Sequence, residues 1–288
     1  MTIPPSPSES TAPSPKIRKV GAAITMLPHA DALISEARQF ASRLGATLTL
    51  IHTGTTYAEK SAYLDEIVQR LSIAHEAHII EESAVPGTAL LQDAENAGIE
   101  LLVAGAFEGI ALKSRRFLSP TARQLVERSR CSLLLVAHPR PGRHEFKRIV
   151  VITDFSECSR QACLQALWLA EKDSAESIEI VSVHTIFMKA RANLCQPDQS
   201  ARTRAEEEQL LKQFVAELPA CSLPVACRVI DAATGFAACD YAEAVEADVL
   251  VLPGSNRPGG RVPALADWVI QVVPCSLWLV HEGPVWCA

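Results

Sequence analysis

Acidic and imidazole side chains stand at the ends of apolar runs in this sequence, where they could contact a ligand. Asp154 follows the run RIVVIT and precedes a helical stretch. It is either a ligand contact or an acid stabilised by the helix dipole. His52 and His184 end the runs ATLTLIH and IEIVSVH. Each is either a ligand contact or a partly buried, hydrogen-bonded histidine.

The elements that must position these residues occur twice, in the same order. Each copy has an apolar strand, a helix, a strand ending in histidine, a polar helix, a strand leading to glycine, a short helix, an apolar strand, and a last helix and strand. The matching strand sequences include KVGAAITML with RIVVITDFS, IELLVAG with ADVLVLPG, and RCSLLLVAH with PCSLWLVH. This alignment pairs Thr25 with Thr153, Met26 with Asp154, Gly105 with Gly254 and Cys131 with Cys275.

Alternating strands and helices predict α/β domains with parallel, doubly wound sheets of five strands. The continuous apolar strands suit a sheet covered on both faces. The predicted domains are residues 16–138 and 147–288, joined by the linker 139–146. Residues 1–15 are rich in proline and serine and are predicted to be a disordered tail.

Composition excludes several classes of function. The net charge of -6 argues against a nucleic-acid partner. No apolar run is long enough to span a membrane, and no secretory leader is recognisable, so we expect a cytoplasmic protein. The nine cysteines contain no CxxC and are expected to be free thiols. We expect no metal site, since His75 and His78 fall on opposite faces of a strand.

The segments RIVVITDFSECS, IEIVSVH, ADVLVLPGS and PCSLWLV resemble a universal stress protein domain, and RLGATLTLIH, IELLVAG and RCSLLLVAH resemble a second one. The resemblance covers about 17–138 and 147–282. It implies a tandem member of this family, with an adenine-nucleotide alpha-hydrolase-like fold of strand order 3-2-1-4-5 in each domain. It also implies that the domains pair through their last strands. A homodimer would be consistent with it.

That strand order places a topological switch between strands 1 and 4, where open α/β sheets bind ligands at the carboxyl ends of the strands. The second copy therefore offers a crevice. The residues expected to bind a ligand there are Thr153, Asp154, Ser156, His184, Thr185, Gly254, Ser255, Asn256 and Arg257. Phe155 lies among them, and Ser156 also suits the N-cap of the following helix.

Members of the family that bind ATP have an aspartate after strand 1, near the adenosine, and a loop G-x2-G-x9-G-[ST] after strand 4. Glycines there let backbone N–H groups approach phosphates. The second copy has Asp154 and Gly254, but Arg257 replaces the second glycine, and Asp267 and Trp268 stand at the final pair. Both the aspartate and the intact loop are missing from the first copy.

The first copy has Met26 at the aspartate position and Glu108 and Leu118 at the later glycines. Degenerate loops in both copies favour a non-catalytic stress-response protein without a cofactor. It would bind a small ligand or a partner protein at the crevice. The alternative is an ATP-binding regulatory switch through the second domain. An enzyme is disfavoured, because the turn TDFSECS contains no glycine and no G-x-S-x-G motif occurs.

Trp278 and the two cysteines that precede the last strands are further candidates for structural roles. Trp278 in the last strand either anchors a domain or subunit interface or packs in a core. Cys131 and Cys275 precede the last strand of each copy, and their equivalent placement indicates packing.

Overall fold

The computed structural model describes residues 13–24, 30–53, 65–71, 77–82, 88–107, 117–142, 144–185, 203–232, 234, 236–254 and 269–281. The strands are β1 Lys19–Ile24, β2 Thr47–Thr53, β3 Ala77–Glu82, β4 Leu101–Gly105, β5 Ser132–Val136, β6 Arg148–Thr153, β7 Ser177–Thr185, β8 Val225–Ala232, β9 Val249–Pro253 and β10 Ser276–Val280. The helices are α1 Ala30–Leu44, α2 (65–70), α3 Thr88–Asn96, α4 Pro120–Arg128, α5 Glu157–Lys172, α6 Arg204–Ala216 and α7 Ala237–Ala244.

The ten strands form one sheet in the order β3-β2-β1-β4-β5-β10-β9-β6-β7-β8. Each half of the chain therefore has the order 3-2-1-4-5, as predicted. Within each half all neighbouring strands are parallel. The predicted α/β fold and the pairing of the two halves through their last strands are confirmed.

The seam between the halves is an antiparallel pairing of β5 with β10, in which Trp278 lies opposite Leu134. Two serines flank this pair symmetrically. The Ser276 hydroxyl accepts the N–H of Ala137 at 3.2 Å, and the Ser132 hydroxyl accepts the N–H of His281 at 3.2 Å. Because the two bonds exchange equivalent residues, the halves are related by an approximate twofold axis at the seam.

Both faces of the sheet carry a hydrophobic core that continues across the seam. One core joins α1 of the first half to Trp278, which is fully buried and lies edge-on to Phe40, with ring centroids 5.7 Å apart. The other core joins Leu133 and Leu135 to Leu277 and Leu279. Trp278 is thus both a core residue and a contact between the halves, so the two readings of it describe one role.

Polar contacts fasten the linker to α1. The Glu36 carboxylate, which is fully buried, lies 2.6 Å from Nδ1 of His144. The Gln39 side chain accepts the backbone N–H of His144 at 2.8 Å. Arg43 forms an ion pair with Asp173 at 2.9 Å, and Asp173 also accepts the N–H of Phe146 at 2.8 Å. The linker therefore lies on the first half while it leads into β6.

The strand register corrects the sequence alignment of the halves at strands 1 and 2. Val20 of β1 lies opposite Leu101, and Ile149 of β6 lies opposite Val249. Ile24, rather than Thr25, consequently matches Thr153, and continuing this alignment along the sequence pairs Thr25, rather than Met26, with Asp154. His52 lies opposite Ile24, whereas Ser182 lies opposite Thr153, so His52 matches Ser182 and not His184.

The same correction applies to strand 4. Gly105 lies opposite Val136, and Pro253 lies opposite Val280. Ala106 therefore matches Gly254, and both residues donate their N–H to the last strand. Strands buried on both faces lack the in-and-out alternation that fixes a register, so an alignment by apolar runs slips by one residue. The match of Cys131 with Cys275 stands.

In each half, one acidic side chain accepts hydrogen bonds from two backbone N–H groups at the start of strand 1. Asp248 accepts the N–H groups of Lys147 and Arg148, each at 2.8 Å. Glu100, at the equivalent position in the first half, accepts the N–H groups of Arg18 and Lys19. The repeated contact involves acids that the apolar pattern does not single out.

Residues 13–15, at the end of the predicted tail, are described, and Pro15 is buried. Among the described residues, none of the helices combines the length and apolar character needed to cross a bilayer.

Candidate functional site

The turn between β6 and α5 brings together three of the predicted site residues. Oδ1 of Asp154 accepts hydrogen bonds from the Ser156 N–H at 3.1 Å and the Ser156 hydroxyl at 2.5 Å. The hydroxyl of Ser159, a fully buried residue, also donates to Oδ1. Asp154 itself is exposed, and its Oδ2 forms no hydrogen bond within the described residues. One oxygen of the carboxylate therefore holds the turn, and the other accepts no hydrogen bond from the described residues.

The backbone of this turn is strained at Phe155, whose φ is 64°. The left-handed region is unfavourable for a bulky residue and persists only where surrounding contacts hold it. Two contacts do so here. The Phe155 N–H donates to Oγ1 of Thr153 at 3.0 Å, and its ring packs edge-on against Phe214 of α6 at 5.7 Å. Thr153 is buried, so it shapes the turn from below.

Ser156 is the N-cap of α5, as predicted. Its hydroxyl accepts the N–H of Ser159 at 3.2 Å. One N–H group in the first turn of α5 is thus hydrogen-bonded to the Ser156 side chain. Asp154 in turn accepts a hydrogen bond from the Ser156 hydroxyl. The two proposed roles of Asp154, helix-start acid and ligand contact, are geometrically compatible because they use different oxygens.

His184 belongs to a polar network with Asp231 and Arg204. Its Nδ1 lies 3.1 Å from Oδ1 of Asp231 on β8, and Arg204 at the start of α6 pairs with the other oxygen of Asp231. The hydrogen bond from His184, followed by the charge of Arg204, lowers the pKa of Asp231. Nδ1 of His184 is therefore directed toward β8, and a role of His184 in ligand binding stays a prediction.

Gly254 is required for packing against the end of β10. A Cβ at this position would lie 2.8 Å from the Val280 carbonyl oxygen and 2.8 Å from the His281 ring. Its N–H already donates to the Val280 carbonyl at 2.6 Å. The glycine is thus explained without any phosphate. At Gly105 in the first half, a Cβ would meet no atom within 4 Å.

The other predicted site residues lie at the limit of the description. Thr185 is described only by its backbone, which pairs with Ala232. Ser255, Asn256 and Arg257 lie outside the described residues, as do Asp267, Trp268, Glu108 and Met26. The prediction that they form, or fail to form, phosphate loops remains a prediction.

Two residues of these networks were missed by sequence reasoning. Ser159 stands three residues after the N-cap, a spacing that places it back over the turn, so this signal was readable. Asp231 could not be found in this way, because its contact with His184 depends on the pairing of β7 with β8.

Among the described residues, potential metal ligands are not clustered, and the cysteines are free thiols. This part of the chain contains no group of three or more histidine, cysteine or acidic side chains that could hold a metal ion. Seven cysteines are described, all of them free thiols. Burial raises the pKa of the Cys131, Cys163 and Cys275 thiols, which therefore stay protonated at neutral pH.

Comparisons with known proteins agree with this geometry. Residues 145–281 match the model of the Universal stress protein family. A comparison with curated protein sequences gives no significant match. Two solved structures resemble nearly the whole chain. One is a protein of unknown function from Pseudomonas aeruginosa, with a TM-score of 0.65, 14% identity and coverage of 93% of this chain and 94% of that one.

The other is a universal stress protein from Archaeoglobus fulgidus, with a TM-score of 0.61, 14% identity and coverage of 92% of this chain and 98% of that one. At this identity the likeness shows the fold, and it extends to both halves. The family match and the turn after β6 both fall in the second half. The second half of the chain, residues 145–281, is therefore similar to a universal stress protein domain.

Proposed function

We propose that this chain is a non-catalytic stress-response protein whose second half binds a small ligand at the crevice between β6 and β9. The observation that carries the proposal is the Oδ2 of the exposed Asp154, which accepts no hydrogen bond from the described residues. The Ser156 and Ser159 bonds to Oδ1 fix the carboxylate, and the strained Phe155 presents it at the carboxyl end of β6. A fixed acceptor of this kind suits a ligand that donates hydrogen bonds through hydroxyl or amino groups.

The location supports the proposal independently of the residue types. β6 and β9 are the adjacent strands from which the chain leaves in opposite directions, toward β7 and toward β10. In open α/β sheets this is where ligands bind. ATP-binding members of the family that the chain resembles have an aspartate near the adenosine, so we choose adenosine as the first probe.

Phosphate recognition has less support than recognition of the adenosine part. The retained Gly254 is accounted for by its contact with β10. We therefore expect ATP with magnesium to bind no more tightly than adenosine, and we expect no hydrolysis of ATP. An ATP affinity well above that of adenosine would instead favour the regulatory switch.

The test is isothermal titration calorimetry of the full chain with adenosine and with ATP. Asp154→Asn is the informative variant, because the amide oxygen can keep the bonds from Ser156 and Ser159 while the other acceptor becomes a donor. We expect it to weaken adenosine binding by about tenfold or more, the loss of one charge-assisted hydrogen bond. Asp65→Asn on α2 is a control that should leave binding unchanged.

Two results would defeat the proposal. One is the absence of heat and of any thermal shift at millimolar adenosine and ATP. The other is hydrolysis of ATP at a useful rate that Asp154→Asn abolishes, since that would make the protein an enzyme.

A further inference from the structure

A concave site lies at the amino ends of the strands in the first half. It is a cavity of about 400 Å³ between α3 and α4. Ile99, which precedes β4, and Cys131, which precedes β5, place it at the amino ends of the strands. The crevice of the proposed function lies at the carboxyl ends, so the two sites are separate.

The cavity combines an apolar interior with a charged rim. Ala94 and Ile99, which are 2% and 6% exposed, form its floor together with Leu91. Burial raises the pKa of the Cys131 thiol, whose sulfur lies 3.4 Å from the Ser129 hydroxyl. The thiol therefore stays protonated and adds apolar surface rather than a nucleophile.

The rim carries two arginines in different electrostatic situations. Arg130 is paired with Glu95 of α3 at 2.7 Å, which neutralises it and fixes it at one side of the opening. Arg128, in the last turn of α4, is exposed and makes no hydrogen bond or ion pair within the described residues. With Glu95, Arg128 and Arg130 as its charged lining residues, the opening carries one net positive charge.

The second half does not have this rim. Cys131 and Cys275 are equivalent by the register of the last strands, so Val272 and Pro274 stand where the first half has Arg128 and Arg130. The basic opening is therefore a property of the first half alone. Framework packing, which the halves share, does not require it.

We propose that this cavity binds a small amphipathic monoanion, with its apolar body against Ala94 and Ile99 and its anionic group on Arg128. The volume lies within the range of small-molecule sites, and an apolar lining with few polar groups is typical of them. The guanidinium of Arg128 can bind a carboxylate with two parallel hydrogen bonds. Because Glu95 already neutralises Arg130, Arg128 is the positive charge left for a ligand, and a single anionic group matches it.

The experiment is a calorimetric titration of the full chain with octanoate, with octanol as the neutral analogue of similar shape. We expect saturable octanoate binding at one site and clearly weaker octanol binding. Arg128→Gln should weaken octanoate binding by about tenfold, as expected for one charge-assisted contact. Arg123→Gln is the matched control, because Arg123 lies on the same helix but pairs with Glu127.

Two further variants separate the possible outcomes. Ala94→Leu fills the floor and should reduce the binding of both octanoate and octanol, whereas Asp154→Asn should change neither. The second result keeps this site independent of the crevice in the second half. The proposal is overturned if octanol binds as tightly as octanoate, if Arg128→Gln has no more effect than Arg123→Gln, or if no saturable binding occurs at millimolar octanoate.

Discussion

The ends of β1 and β6 are equivalent positions in the two halves, and they carry different chemistry. β1 ends at Ile24, whose carbonyl oxygen lies 2.9 Å from Nδ1 of the buried His52. β6 ends at Thr153, and the serine that matches His52, Ser182, donates instead to Glu207 at 2.6 Å. In the first half, the last residue of the strand is thus hydrogen-bonded to an imidazole. In the second half, the strand leads into a strained turn that contains Asp154.

The framework beneath these ends is nearly the same in the two halves. The strand order, the acid that supports strand 1 and the serines at the seam all recur. We propose that the chain arose by duplication, and that the first half is now mainly a scaffold for the crevice. The difference teaches that backbone pairing and core packing were retained while polar residues at strand ends changed, as expected where function resides in loops.

The largest expected effect comes from breaking the seam that the halves share. Trp278→Ala should lower the free energy of unfolding by about 3–5 kcal/mol, because it leaves a cavity in a core that spans both halves. It should also split a single thermal transition into two, which differential scanning calorimetry would detect. Trp168→Ala, equally buried on α5, is the control that should destabilise the protein without splitting the transition. A loss below about 1 kcal/mol for Trp278→Ala would contradict a continuous core.

The next largest effect concerns the ion pair between Arg43 of α1 and Asp173 of the second half. Arg43→Met should cost about 3–5 kcal/mol, because it leaves Asp173 buried without its cation. Asp173→Asn in the same chain should recover part of this loss, since the amide can still accept the Phe146 N–H. Chemical denaturation of the two single variants and the double variant measures the coupling. Additive losses would show that the ion pair does not join the halves.

The contribution of the Arg43–Asp173 ion pair to stability should depend on pH with a defined sign. Burial raises the pKa of Asp173 above its unfolded value, against the opposing charge of Arg43. The folded chain therefore binds this proton more tightly than the unfolded chain does. The penalty of Arg43→Met should consequently shrink as pH falls toward about 4, the unfolded pKa of an aspartate. A penalty that grows in this range would contradict the assignment.

A smaller effect compares the acids that support strand 1. Asp248→Ala and Glu100→Ala should each cost about 1–3 kcal/mol, because two backbone N–H groups lose their acceptor. Asp248 should give the larger loss, since its bonds are partly buried and those of Glu100 are exposed. Asp248→Asn should retain most of the stability. Thermal unfolding of the three variants decides the point, and a neutral Asp248→Ala would refute the shared role.

The smallest effect compares two helix N-caps. Ser119 is the N-cap of α4, and its hydroxyl accepts the N–H of Ala122 at 3.1 Å. Ser119→Ala in the first half and Ser156→Ala in the second should each cost about 1 kcal/mol. Only Ser156→Ala should also weaken adenosine binding, because the Ser156 hydroxyl helps to fix Asp154. Equal binding by both variants would remove Ser156 from the site while leaving its capping role intact.

The sequence was sufficient to predict the strands, their order and the seam, because buried parallel strands leave continuous apolar runs and the family resemblance supplies their arrangement. It predicted the N-cap Ser156 from residue type and position alone. It misaligned Met26 with Asp154, because apolar runs fix a register only to within one residue. It did not reveal the contact of His184 with Asp231, since that contact depends on the pairing of β7 with β8.

We infer that the second half, at the turn after β6, holds the ligand site. The most direct measurement is an amide chemical-shift titration of the isotope-labelled full chain with adenosine. We predict saturable shifts at Asp154, Ser156 and Ser159, with none at the equivalent end of β1, Ala23 and Ile24. Saturable shifts confined to the first half, or the same shifts in Asp154→Asn at unchanged affinity, would contradict the claim.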